Sequence, residues 1–384
     1  MEFDVAILGG GAAGLMAAAR LRELGGFSVC IIEGNEKPAA KIRISGGGKC
    51  NLTNVSVSEQ NYLGDETLVR EVLRRFDNRA LLEWVRTRGC KPVVRKGRYY
   101  FCPHSAQELI DILLKCAGGT RFFLGHHIAG VEKIAEGFSV STNKTAIIAR
   151  KVIVASGGAS YASVGATDIG LRIAHAFGIE TVPFRPALAG LTLQKEQFWM
   201  KALTGISFPV RIEVEGRVIE EDMLFAHRGI SGPAVLSASL YWHRGTITFD
   251  FLPGCNIVEA CRDEKKLIST VLNLPKRFSR AFLEHIGVPD KACNRLNDEE
   301  LKRLQSIHTY AFSPAGTFGF TKAEASKGGV ATGELNHYTM ESLLCEGLYF
   351  IGEVTDVTGE LGGYNFQWAF SSAVVAANAL SEGA

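Results

Sequence analysis

The sequence predicts an α/β protein whose nucleotide-binding sheet is assembled from both ends of the chain, with a β-rich and then helical segment inserted between them. Three observations predict this. Residues 3–8 are a short apolar strand that runs into Gly9-Gly10-Gly11-Ala12-Ala13-Gly14 and then a small-residue helix over 15–24. Residues 348–351 run into Gly352-Glu353, a loop with Gly359, Gly362 and Gly363, and a second small-residue helix from about 366 to 380. Between them, from about 187 to 326, the texture changes. A ligand gripped at two points so distant in sequence is long, and FAD meets that requirement.

The first half is a Rossmann-like turn. Gly9 permits the tight strand-to-helix bend, Gly11 lets the backbone approach a pyrophosphate, and Gly14 lets the helix pack on the sheet. Ala12 and Ala13 open that helix, whose free N–H groups and positive dipole end meet the phosphates. A second apolar strand, 27–32, ends in Glu33, nineteen residues beyond Gly14. A carboxylate there accepts hydrogen bonds from ribose hydroxyls and repels a 2′-phosphate, so NADP is a poor occupant.

Residues 41–54 form a second glycine cluster, with Gly46, Gly47 and Gly48 flanked by donors, which makes a close-approach loop rather than a helix or strand. Helices are expected over 67–76 and 79–88, and Ser105 with Glu108 reads as a capping box opening a helix to 116. Strands are expected over 121–124, 128–134, 138–142, 145–148 and 151–155. The last runs into Ala155, Ser156 and Gly157, a further place for backbone to approach a dinucleotide. A helix to 177 follows Gly165–Gly170. The middle segment has strands over 208–214 and 246–251, a short helix to 241 capped by Ser231, and helices over 257–272, 279–287 and 298–306. The expected domains are therefore 1–186 with 327–384, and an insert at 187–326 with a β part to about 253 and a helical part over about 254–310.

Composition bounds the function. The chain has 384 residues, 46% hydrophobic, enough for more than one core. A net charge of +2, with both signs interspersed, leaves no electrostatic footprint for nucleic acid. Nine cysteines without a C-x-x-C pair suggest reduced thiols in a cytoplasm. A strand beginning at residue 3 leaves no room for a signal peptide, and no apolar run reaches the ~18 residues of a membrane span. No spacing suggests a metal.

The chain also resembles, over nearly its full length, a bacterial family of FAD-dependent flavoproteins that includes aminoacetone oxidase and a reductase of dehydro-bile acids. The resemblance rests on Lys41–Asn54, on Ile230-Ser231-Gly232-Pro233, on Lys327-Gly328-Gly329-Val330, and on Gly352–Asp356 through Gly362–Gln367. It implies a glutathione-reductase-type FAD fold with a β-barrel-like and helical insert. The family often has Arg where this chain has Lys49, which would weaken any bidentate grip.

With FAD as ligand, Gly9, Gly11, Ala12, Ala13 and Gly14 take the pyrophosphate, Glu33 the adenosine ribose, and Ile128 the adenine edge. Ala155, Ser156 and Gly157 form the second approach. Gly352 and Glu353, with Asp356, belong to the phosphate and ribityl region. Lys41, Ser45, Gly46, Gly47, Lys49, Cys50 and Asn51 line the isoalloxazine. Gly362, Gly363, Tyr364, Asn365 and Phe366 bring a helix end to the flavin N1/O2 edge, where positive potential raises electron affinity. Cys50 is either a charge-transfer thiolate or a buried packing cysteine. Tyr364, or His227 with Arg228, would bind substrate and deliver a proton; the alternative is a packed ring and a solvated loop.

The favoured function is an FAD-dependent oxidoreductase exchanging a hydride with a small organic substrate, by reduction of a conjugated C=C–C=O group or by oxidation of an amine. A partner in nucleic-acid modification and a flavin carrier without turnover are the alternatives. No second Gly-x-Gly-x-x-Gly follows a strand, so NAD(P)H, if used, docks transiently. Oligomeric state is left open.

Overall fold

The computed structural model describes residues 2–382, the side chain of Ser163 excepted. It has two units with separate cores, Met1–Pro186 with Ala325–Ala384, and Ala187–Glu324. The return to the first unit falls two residues before the expected 326/327 boundary, because Ala325 and Ser326 already belong to the strand Ala325–Val330.

In the first unit, β1 (Glu2–Leu8), α1 (Ala12–Leu24) and β2 (Val29–Glu33) form the expected strand–helix–strand. The seven-stranded sheet runs Arg121–Leu124, β2, β1, Ala146–Val154, Gly137–Thr142, Ile128–Ile134, with Leu348–Phe350 added beside Ala146–Val154. Val5 to Leu8 are at most 1% exposed, as a parallel strand covered on both faces requires. The two strands expected at 145–148 and 151–155 are one, Ala146–Val154. Its first half pairs antiparallel with Gly137–Thr142 and its second half parallel with Leu348–Phe350. The polar Arg150-Lys151 step therefore marks a change of partner, not an end.

The C-terminal helix, Tyr364–Glu382, packs on α1, and the small residues of the two helices, Ala and Ser in the first and Ala in the second, allow close approach. The helix Ala106–Cys116 opens on the expected capping box of Ser105 and Glu108. A side sheet of three antiparallel strands, β3 (Asn51–Asn54), Tyr99–Phe101 and Val93–Arg95, stands beside the glycine-rich loop.

The second unit is one seven-stranded antiparallel sheet, with pairings in an open order from Tyr310–Phe312 to Gly316–Thr317, where a barrel-like arrangement was expected. Its longest strand, Arg217–Ala226, is absent from the sequence expectations because Glu220, Glu221 and Asp222 mask the alternation. Helix Pro233–Tyr241 is capped by Gly232, and Ser231 belongs to the strand Gly229–Ser231 instead. The helix expected over 257–272 is two, Ile257–Cys261 and Ile268–Val271, interrupted where Asp263 adopts a left-handed φ of 55°. Phe208, Phe225, Phe251, Phe278 and Phe282 form the centre of this core, with Phe208 and Phe278 centroids 4.8 Å apart. Among the described residues no helix is long and apolar enough to cross a membrane.

Candidate functional site

The turn after β1 has no room for side chains where the sequence has glycine. A Cβ on Gly9, at φ 116°, would lie 2.4 Å from the Ala155 carbonyl oxygen, and one on Gly14 would lie 1.9 Å from the Gly9 carbonyl oxygen. Gly11 is different, since a Cβ there would meet nothing within 4 Å. Gly11 is also the N-cap of α1 and offers no side-chain acceptor, so Ala12 and Ala13 open a helix with its first N–H groups uncapped and space before them. That cradle fits a phosphate.

Glu33 is held in place before any ligand arrives. Its Oε2 accepts from the Gly10 N–H at 2.7 Å, and its Oε1 accepts from the Asn35 N–H and side-chain amide, both at 2.8 Å. Oε1 thus accepts twice already, and Oε2, which accepts once, keeps a lone-pair site for a ribose hydroxyl. His126 donates its N–H to the Glu33 carbonyl at 3.0 Å, which brings the segment leading to Ile128 beside the same acid. Ile128 opens its strand opposite Thr142 and is half-buried.

On the far side of β1, Ala155 donates to the Leu8 carbonyl at 2.9 Å, and Gly157 takes φ 73°. The Ser156 hydroxyl is buried without a hydrogen-bond partner. Ser326, which the sequence reading missed, accepts at its Oγ from the N–H groups of Ala159 and Ser160, each at 3.0 Å, and so fastens this turn across more than 160 residues. No local signal marks it beyond its place next to Lys327-Gly328-Gly329.

The C-terminal half meets the N-terminal half directly. Gly352, at φ 71°, presses on α1 so closely that a Cβ would stand 2.9 Å from the Ala13 methyl. Glu353 and Lys41, both expected to face the cofactor, bind each other: Nζ to Oε2 is 2.6 Å, and the other oxygen accepts from the Ser326 N–H at 2.8 Å. The Asp356 carboxyl is half-buried and its pKa is raised by that burial, opposed by a hydrogen bond from the Gly328 backbone.

Gly362 and Gly363 have φ of 136° and 92°. Their missing side chains admit protein, not open space. A Cβ on Gly362 would come 2.8 Å from the Tyr99 ring, and one on Gly363 would come 2.8 Å from the Thr53 backbone. Asn365 closes on Gly359, accepting from its N–H and donating to its carbonyl, each at 2.9 Å, and Phe366 stacks on Phe370. Those two side chains are thus spent on the fold, and only their backbone is left for a ligand. Gln367, fully buried, accepts from Thr53 Oγ1 at 2.6 Å and ties the helix to β3. Tyr364 is buried edge-on to Tyr62; burial pushes its phenol up to about 12, with Glu360 and Tyr99 adding to the shift and Arg98 opposing it.

In the glycine-rich loop, Ser45 caps Ile42 through a 2.8 Å hydrogen bond. Gly46 and Gly47 are left-handed at φ 54° and 64°; Gly46 backs onto Phe101, whereas nothing stands within 4 Å of a Cβ on Gly47. The Lys49 carbonyl accepts from the Cys102 N–H at 3.0 Å. Cys50 is fully buried and hydrogen-bonds with Cys102, the first cause that pushes the Cys102 thiol up to about 12. Cys50 thus sits in a buried thiol cluster that continues through Cys102 to Cys90. Asn51 Oδ1 is buried without a partner beside Gly363. An orphaned acceptor there fits an N–H or O–H donor on a bound group.

His227 and Arg228 belong to the inserted unit. They are the exposed two-residue turn joining Arg217–Ala226 to Gly229–Ser231, with Arg228 over the Phe318 ring at 5.7 Å.

A sheet with a parallel centre carrying a glycine-turn cradle, an acid at the end of its second strand and a second glycine turn folded against the first defines a Rossmann-type dinucleotide-binding protein. The chain belongs to the family described as HI0933-like protein Rossmann domain, whose model matches residues 3–379. It is 38% identical to a Haemophilus influenzae protein named ribosomal RNA dihydrouridine synthase, with 98% of each chain covered. It is 31% identical to a Clostridium scindens 3-dehydro-bile acid delta(4,6)-reductase, covering 98% of this chain and 99% of that one. Among solved structures, Escherichia coli quinol fumarate reductase FrdA shares the fold at a TM-score of 0.52 and 14% identity, over all of this chain and 70% of that one.

Proposed function

We propose that this chain binds FAD and reduces a carbon–carbon double bond conjugated to a carbonyl, with a uracil of ribosomal RNA as its substrate. The observation that carries this reading is the nearly full-length similarity to the protein named ribosomal RNA dihydrouridine synthase. The bile-acid reductase supports the bond type, since both names describe saturation of C=C conjugated to C=O. The reading keeps the enone arm of the sequence expectation and moves the substrate from a free small molecule to a base in RNA.

Bound FAD, once reduced by a two-electron donor such as transiently docking NAD(P)H, would supply the hydride. The chain's own part is to bind and orient. The uncapped start of α1 and the space at Gly11 would receive the pyrophosphate, Glu33 the ribose, and Asn51 Oδ1 a donor of the ring or ribityl chain. Tyr364 keeps its proton on Oη through the neutral range, which suits a donor toward the substrate carbonyl or its α carbon.

The test is nucleoside mass spectrometry of ribosomal RNA from a strain lacking the gene. Dihydrouridine should disappear and return with the wild-type gene, but not with Gly9→Val. Unchanged dihydrouridine would overturn the RNA substrate. Anaerobic reoxidation of the reduced protein by a panel of free enones then reads the bile-acid-like alternative. Bleaching of the oxidised protein by an amine would reverse the direction altogether.

A further inference from the structure

The near-neutral charge of the chain conceals one stretch of a single sign. Residues 84–107 contain Arg86, Arg88, Lys91, Arg95, Lys96 and Arg98 and no Asp or Glu, so the rest of the chain holds 36 of the 42 basic side chains against all 40 acidic ones. Arg88 is engaged with Glu23 and Trp84. The other end of the stretch is a β-hairpin, Val93–Arg95 paired with Tyr99–Phe101 in the register Val93↔Phe101, Val94↔Tyr100, Arg95↔Tyr99. Lys96 and Gly97 take φ of 48° and 69°, and the Arg98 N–H donates to the Arg95 carbonyl at 3.1 Å, a type I′ turn. Lys91 and every residue from Val93 to Arg98 are exposed.

Two features separate this hairpin from an edge strand merely guarded by charge. First, its basic side chains are interleaved with aromatic and apolar ones. Arg95 lies over Phe101 at 5.1 Å and Arg98 over Tyr99 at 4.7 Å, while Val93, Val94 and Ile44 are 37%, 46% and 44% exposed. Phosphate-binding charge beside surfaces on which bases rest is what single-stranded nucleic acid selects. Second, the inner strand touches the candidate flavin site, for the Tyr99 ring fills the space before Gly362, and β3, paired to the same strand, abuts Gly363.

We propose that this hairpin with Lys91 is the surface that holds the single-stranded RNA flanking the target uracil, its phosphates met by Lys91, Arg95, Lys96 and Arg98. The inference rests on the ribosomal RNA reading above and names the element that serves it.

The experiment uses the flavin-loaded full chain and deproteinised ribosomal RNA from the strain lacking the gene. Binding is measured against salt, together with dihydrouridine yield and flavin content. For K91A/R95A/K96N/R98A the expected result is affinity lower by about a hundredfold at 0.1 M salt and a salt slope shallower by about 3, with flavin content unchanged. R95K/R98K, which keeps the charge, should stay within a few-fold of wild type. If the quadruple variant does not fold, the exposed single variant Lys91→Glu decides, with affinity lower by about fivefold to tenfold expected. Wild-type binding and slope in the quadruple variant, or in Lys91→Glu where that must serve, overturns the hairpin while leaving the functional reading intact. A wild-type protein that neither binds nor modifies the RNA overturns both.

Discussion

Gly352 rests against Ala13, leaving 2.9 Å between the Ala13 methyl and the place a Cβ on Gly352 would occupy. This contact joins the two halves of the candidate dinucleotide site, 339 residues apart in the chain. Gly352→Ala meets both the steric contact and the left-handed φ of 71°, and should cost about 2–5 kcal/mol in urea unfolding. Adding Ala13→Gly removes the methyl and should recover the packing part alone. A double variant no more stable than the single one would show that the contact is not the cause.

Glu33→Ala should act twice. It removes the partner of the Gly10 and Asn35 donors, so the flavin-free protein loses stability, and it weakens FAD binding by about 1–3 kcal/mol. Flavin titration and melting of the flavin-free form separate the two. Undiminished FAD affinity would remove Glu33 from the ribose site.

Asn51→Ala discriminates a ligand acceptor from a structural one. Its Oδ1 has no partner, so the flavin-free protein should melt nearly as the wild type does, whereas FAD should bind about tenfold more weakly. Equal loss in both forms would mark a purely structural residue.

Gly363, which the sequence assigns to the flavin N1/O2 edge, has the Thr53 backbone 2.8 Å from where a Cβ would stand, so Gly363→Val meets protein. The predicted outcome is a protein that fails to accumulate folded, and that added FAD does not rescue. A folded variant with low flavin content would restore the original assignment.

Asp356 gives a pH signature. Burial raises its pKa above the ordinary 3.8, so it holds its proton more tightly folded than unfolded. Its ionisation therefore lowers stability as pH rises from 3.8 through the raised value, and the deficit persists above it. Asp356→Asn should melt higher than wild type at pH 7 in the flavin-free form, with the difference shrinking as pH falls toward 3.8. A pH-independent difference would refute this.

Much of the first unit was legible because it depends on local spacing. Gly9, Gly11 and Gly14 stand where one strand-to-helix turn needs them, Glu33 ends the next strand, and Ser105 with Glu108 caps a helix. These are interactions within a few residues, or within one supersecondary unit, so the order of residue types nearly specifies them.

What only the tertiary structure decided are contacts whose partners lie far apart in the chain. The sequence marks Gly352, Gly362 and Gly363 as special but not what each admits: Ala13, the Tyr99 ring and the Thr53 backbone. It offers Lys41, Glu353, Asn365 and Phe366 as ligands to a cofactor, and folding engages their side chains with one another, with Gly359 and with Phe370. It shows a net charge near zero, and pairing with β3 sets a basic hairpin beside the candidate site. The physical reason is the same throughout. A side chain's type limits which bonds it can make, but its available partners are set by which distant segments the sheet brings within a few ångströms.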